Sequence, residues 1–223
     1  MDVAKPYKTI SPTIDSELLV ALAGSREPRS GRRLAAEIGR SRTGVQHVLD
    51  RLVREGLVHR VEAGRAFLYA FNHDHLLAPA VQAMAGARAE LVHRLREAVG
   101  DWQIEPIHLS IFGSAARGDG DSTSDIDLFV VRPRQIEAED ERWRTQVDQL
   151  SDRIHAWTGN DAGIVEIEEA RVPALRRRRP PALRELGRDA IDIAGTPLHK
   201  LLRKDGEAKR QASAEDVQAS SSS

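Results

Sequence analysis

The residues best suited to chemistry lie in one short stretch. The chain reads Ile111-Phe112-Gly113-Ser114-Ala115-Ala116-Arg117-Gly118 and then, after a short polar segment, Ser124-Asp125-Ile126-Asp127-Leu128-Phe129. A Gly-Ser pair thus follows one apolar run, and two carboxylates one residue apart sit in a second. On a strand, residues i and i+2 project from the same face. Asp125 and Asp127 would therefore repel each other unless a cation lay between them. Mg²⁺ is a hard cation that takes carboxylate and phosphate oxygens, and two such ions can hold the attacking and leaving oxygens of a phosphoryl or nucleotidyl transfer. Gly113 would let a triphosphate approach the backbone closely. Ser114 can donate from its hydroxyl, and a helix starting there offers free N–H groups. The chemistry expected is binding of a nucleoside triphosphate (NTP) with divalent metal, as phosphoryl or nucleotidyl transfer requires.

The ordered set of strand, Gly-Ser, helix and Asp-Ile-Asp resembles the nucleotidyltransferase superfamily related to DNA polymerase β. It is most similar to the minimal (MNT-type) members, whose pattern is close to G-S-x-A-R-G followed by S-D-I-D-L. The resemblance covers about residues 101–200. It implies Mg²⁺-dependent transfer, with two ions beside the NTP. Gly113, Ser114 and Arg117 are then the nucleotide-binding residues, and Asp125 and Asp127 the catalytic metal ligands. It also implies a third acid on the next core strand, as ligand or base. That strand reads Gly163-Ile164-Val165-Glu166-Ile167-Glu168. By residue type Glu166 is the candidate catalytic acid, with Asp161 and Glu168 nearest to it. If the family's Asp-apolar-apolar-acid run is laid on this stretch, its Asp falls on Gly163 and Glu166 becomes peripheral. Minimal nucleotidyltransferases often accompany a toxin and can modify it, so a toxin or another protein is an implied acceptor.

These groups need elements to position them. Ile107, Leu109 and Ile111 alternate with His108, Ser110 and Phe112, predicting a strand before the Gly-Ser turn. Ile126 to Val131 predicts a second strand and Ile164 to Ile167 a third. Residues 137–157 read as a helix with Trp143, Val147, Leu150, Ile154 and Trp157 on one side. Leu175 to Leu186 is a helix broken by Pro180-Pro181, and a last helix starts near Pro197. The polar tail 205–223 is expected to be disordered.

The front of the chain reads differently. Residues 1–12 are expected to be extended, since Pro6 and Pro12 oppose helix. Thr13 or Asp15, Ser30 and Ser41 are candidate caps for three helices ending at Gly24, Gly39 and Gly56. Two β-prone runs, 57–61 and 66–71, flank a turn with Gly64 and predict a hairpin. Three short helices and a hairpin make a winged helix-turn-helix. The run from Leu34 to Val58 resembles winged-helix transcriptional regulators of the MarR and ArsR type. Residues 26–65 hold ten Arg against five acids, whereas residues 101–172 hold seven basic and sixteen acidic side chains. The third helix carries Arg42, Thr43, Gln46, His47 and Arg51 on its polar side, and Arg65 lies in the wing. This is the polarity a DNA-reading helix needs, so duplex DNA is the expected partner. Arg176 to Arg179 form a further basic run open to nucleic acid, a triphosphate or an acidic partner.

The expected architecture is α+β: a winged helix-turn-helix over 1–75, a connecting helix over 76–100, and a small mixed-sheet α/β nucleotidyltransferase domain over 101–204. The connecting helix repeats Met84, Ala87, Leu91, Leu95 and Ala98 at helical spacing. It could also pack on a second copy, although the stripe is short and Ala-rich, so a homodimer stays open. The absence of cysteine excludes disulfides and thiolate zinc sites. No apolar run approaches ~18 residues, so no membrane partner is expected. A cytoplasmic protein is the expectation. Three readings follow: a nucleotidyltransferase with a DNA-binding module, a DNA-binding regulator whose transferase domain senses nucleotide, or an antitoxin-like partner.

Overall fold

The computed structural model describes residues 1–64, 66–118, 124–178 and 186–203. It divides into two units, Met1–Leu91 and Val92–Ser223.

In the first unit, two of the three α-helix starts carry side-chain caps. Helix α1 spans Ile14–Ala23, α2 spans Gly31–Ile38 and α3 spans Arg42–Arg54. Ser30 Oγ accepts from Arg33 N–H at 3.3 Å, and Ser41 Oγ from Gly44 N–H at 3.2 Å, so each satisfies a helix-end donor. Thr13 occupies the cap position of α1 but makes no such bond. Strands β1 (Arg29–Ser30), β2 (Val58–Ala63) and β3 (Ala66–Phe71) form an antiparallel sheet in the order β1-β3-β2. Leu18, Leu22, Leu34, Val45, Leu49 and Tyr69 form the heart of the core. The lead-in is not extended throughout: Pro6–Thr9 is a turn of 3₁₀-helix, as Pro at a helix start allows. Arg40, just past α2, donates twice to the buried Glu17 of α1 at 2.7 and 2.9 Å, and holds that carboxyl below its ordinary value.

Helix α4 spans Ala78–Gly100, and the boundary between the units falls within it. Ala78 and Val81 join the first core.

The second unit is built on a mixed four-stranded sheet. Strands β4 (His108–Ile111), β5 (Ile126–Arg132), β6 (Ala162–Glu168) and β7 (Ile191–Gly195) lie in the order β6-β5-β4-β7, with β5 and β6 parallel and the other pairs antiparallel. Strand β7 went unforeseen, although Ile191 and Ile193 alternate with Asp192 and Ala194. Between β4 and β5 lies the short helix α5 (Gly113–Arg117). Helix α6 (Glu141–Thr158) starts at Asp140, whose carboxylate accepts from Arg142 and Trp143 N–H. Helices α7 (Val172–Arg178) and α8 (Leu198–Leu201) supply Val172, Leu198 and Leu201 to a core with Phe129 and Val131. Pro180, Pro181, Arg179 and the 205–223 tail lie outside the described residues. Among the described residues no helix is long and apolar enough to cross a membrane.

His108 is fully buried in the middle of this sheet. Its Nδ1 lies 2.8 Å from the Thr196 carbonyl and its Nε2 2.9 Å from Ser110 Oγ. A carbonyl only accepts, so Nδ1 carries the proton and Nε2 accepts from the Ser110 hydroxyl. Burial pushes the imidazole below its ordinary value, and it stays neutral.

Candidate functional site

Strand β5 sets the site. Its register pairs Asp127 with Gly163, Phe129 with Val165 and Val131 with Ile167, so these residues share one face of the sheet. Ile126, Leu128, Val130 and Arg132 lie on the other face with Ala162, Ile164, Glu166 and Glu168. The last residue before β5, Asp125, is exposed, while Asp127 is half-buried.

Gly113 opens α5 against Asp127. Its φ is +66°, in the left-handed region, and a Cβ there would fall inside the Asp127 carboxylate. Any other residue there would be strained and would push the Asp127 carboxylate aside. The Phe112 N–H donates to the Asp127 carbonyl at 2.9 Å, which ties the turn to the strand. Ser114 follows in the first turn of α5, half-buried, with its carbonyl accepting from Gly118 N–H at 2.9 Å. Burial pushes the Asp127 carboxyl above its ordinary value, the negative charge of Asp125 adds to this, and the positive charge of Arg117 offsets part of it. The structure therefore brings Gly113, Asp125 and Asp127 together, with Arg117 close enough for its charge to be felt.

The expected third acid is not among them. Glu166 projects from the opposite face, where Oε1 accepts from Arg132 Nε at 2.7 Å and Oε2 from Trp143 Nε1 at 3.1 Å. Arg132 is only 8% exposed, so Glu166 is the counter-charge of a buried guanidinium. This corrects the reading of Glu166 as a catalytic acid. Glu168 shares its face. The exposed Asp161 carboxylate pairs with His155 at 3.1 Å. The position that does face the pair is Gly163: a Cβ there would lie 2.8 Å from Asp127 Oδ1 and 3.7 Å from Asp125 Cβ. Among the described residues no third His, Asp or Glu joins these two carboxylates.

In the first unit, Arg42, Thr43, Gln46 and His47 are exposed on one face of α3. Together with Gly31, Arg32 and Asp50 they line an open groove of about 530 Å³. Arg51 is placed elsewhere. It forms an ion pair with Asp15 of α1 and lies 4.0 Å from Glu55, so it ties helices together within the domain. Arg65 lies outside the described residues. In the wing, Arg60 stacks over the Phe67 ring, 4.7 Å from its centroid.

Comparison with known proteins finds two family models. Residues 77–187 match the family model described as "Poly(A) RNA polymerase, mitochondrial-like, central palm domain". Residues 13–73 match that of "Sugar-specific transcriptional regulator TrmB". No curated protein matches the chain. Solved structures similar in part include ZitR of Lactococcus lactis (16% identity, 41% of this chain and 62% of that one, TM-score 0.31). They also include the transcriptional regulator BldR of Sulfolobus solfataricus (19%, 45% and 71%, TM-score 0.30) and the toxin–antitoxin pair MntA-HpeT in mutant form (15%, 57% and 98%, TM-score 0.35). The chain thus spans under two thirds of the ZitR chain. The family matches divide it into a winged-helix regulator domain and a nucleotidyltransferase-like palm domain.

Proposed function

We propose that this chain is a DNA-binding regulator whose palm domain binds an NTP with Mg²⁺ and responds to it without turning it over. The observation that carries this reading is Gly163. It stands on the face of Asp125 and Asp127 where a third carboxylate would be expected, and among the described residues Glu166 is paired with Arg132 and Asp161 with His155. Two carboxylates suffice to hold a metal–nucleotide complex. Deprotonating an acceptor hydroxyl calls for a general base, which is typically worth ~10²–10⁴-fold in rate.

The residues present fit Mg²⁺. Their donors are hard carboxylate oxygens, and the raised Asp127 carboxyl is that of a half-buried group beside a like charge, which a cation relieves. Asp125 and Asp127 would hold the metal, which supplies charge neutralisation for the phosphates. Gly113 leaves the backbone open to close approach, Ser114 donates a hydroxyl proton, and Arg117 adds a positive charge. In the front domain, α3 enters the major groove with Arg42, Thr43, Gln46 and His47, and the wing lies along the backbone.

A second reading, nucleotidyl transfer to a toxin or another protein, is favoured by the intact Gly113-Ser114 turn and Asp pair. One experiment separates the two. The full chain is incubated with Mg²⁺ and labelled NTPs, with and without candidate acceptor proteins, and both retained nucleotide and transferred label are counted. The proposal expects Mg²⁺-dependent retention and no transferred label. Label carried onto a protein would replace it with the transferase reading.

A further inference from the structure

The side chain of Gln46 does not point freely into the groove on α3. Its Nε2 donates to Asp50 Oδ1 at 2.8 Å, an i,i+4 pair on one helix face, and to the Tyr69 hydroxyl at 3.0 Å. The ionised Asp50 carboxylate can only accept, so the atom facing it must be the amide nitrogen and the amide orientation is settled. Tyr69 is almost fully buried, and its hydroxyl is a fixed partner. Both Gln46 amide protons are thereby used. What remains for a ligand is Oε1, an acceptor. Gln46 is exposed as a residue, and Gly31 lies beside that oxygen, where a Cβ would stand 3.4 Å away. Beside it lies the Asp50 carboxylate, a second acceptor, with Arg32 and Arg42 in the same groove.

We propose that Gln46 and Asp50 form an acceptor-only reading head that selects cytosine in the major groove; this rests on the DNA-binding reading above. The chemistry of the four base edges decides the choice. Guanine presents N7 and O6, both acceptors, and thymine presents O4. Adenine offers a donor at N6 but sets the N7 acceptor beside it. Only cytosine shows a donor, the N4 amino group, with no acceptor on its own edge. A freely rotating Gln would instead favour adenine, by pairing bidentately with N6 and N7. The lock imposed by Asp50 and Tyr69 removes that option. Arg32 and Arg42 supply the attraction to phosphate that the Asp50 charge opposes, so affinity and selectivity reside in different residues.

The test uses the full chain and a pool of randomised duplexes. Bound sequences are recovered for wild type, Gln46→Leu and Asp50→Asn. The wild type is expected to select at least one C·G pair. Replacing that pair by T·A, which exchanges the N4 donor for the O4 acceptor, should weaken binding about tenfold. Gln46→Leu should lose that preference. It should keep the wild-type salt dependence, because it removes no phosphate contact. Asp50→Asn should move the position towards purines, because the Asn amide offers a donor. Duplex binding with a preference that neither substitution alters would overturn this inference and leave the DNA-binding reading standing. Failure of the wild type to retain any duplex at low salt would overturn both.

Discussion

Replacing Asp125 and Asp127 together with Asn keeps their shape and removes two negative charges from one face of β5. Mg²⁺-dependent NTP binding should be lost by calorimetry while the far-ultraviolet spectrum is unchanged. Glu166 behaves differently. Glu166→Ala leaves the buried Arg132 guanidinium without its carboxylate and should lower stability by about 2 kcal/mol, read by urea unfolding, with NTP affinity retained. His108 provides the pH dependence. Its folded value is depressed below the ordinary 6.5 by burial, so the unfolded chain binds the proton more readily. Its contribution to stability is therefore present above about pH 6.5 and is lost as the pH falls. His108→Gln, which never titrates, should flatten this acid limb in melts from pH 8 to 5.

At the scale of elements, the edge strand β6 decides what the site can do. Gly163→Asp adds a third carboxylate to two that already repel, and its Cβ forces the Asp127 carboxylate to shift. The variant should melt lower than wild type in chelator and gain more from added Mg²⁺, because ligand binding to the folded state stabilises it. On α3, Arg42→Ala should lower DNA affinity and flatten the slope of log K against log salt by roughly one unit. Arg51→Ala should leave that slope unchanged and cost less than about 1 kcal/mol, since its pair with Asp15 is well exposed. This division between the two arginines was not legible in the sequence. Both lie on the polar side of one helix, and only the packing of α1 against α3 brings Asp15 to Arg51. Residue type alone could not choose between Glu166 and the alignment that puts Gly163 at the site, for a related reason. Alternation along β6 separates Gly163 from Glu166 by an odd step, yet which of them faces Asp127 is set by the pairing register between β5 and β6. Register depends on tertiary packing. The Gly-Ser turn and the Asp pair, by contrast, are local features. Their positions follow from strand alternation and from a glycine with positive φ, and both were visible in the residue order.

For the whole molecule, the two-domain organisation was readable because each domain carries its own periodic signals and the charge changes sign between them. Strand β7 escaped, because a five-residue segment between a proline-containing run and a short helix carries little pattern of its own. The two units matter together only if nucleotide at the palm alters what the winged helix does. The most direct measurement is the affinity of the full chain for its selected duplex, with and without saturating Mg²⁺–NTP, in wild type and in the Asp125→Asn/Asp127→Asn variant. Affinity should shift by about fivefold or more in the wild type, within the range of ordinary coupling energies, and not at all in the variant. A wild-type affinity that does not move with bound nucleotide, or a variant that shifts as much as wild type, would contradict it.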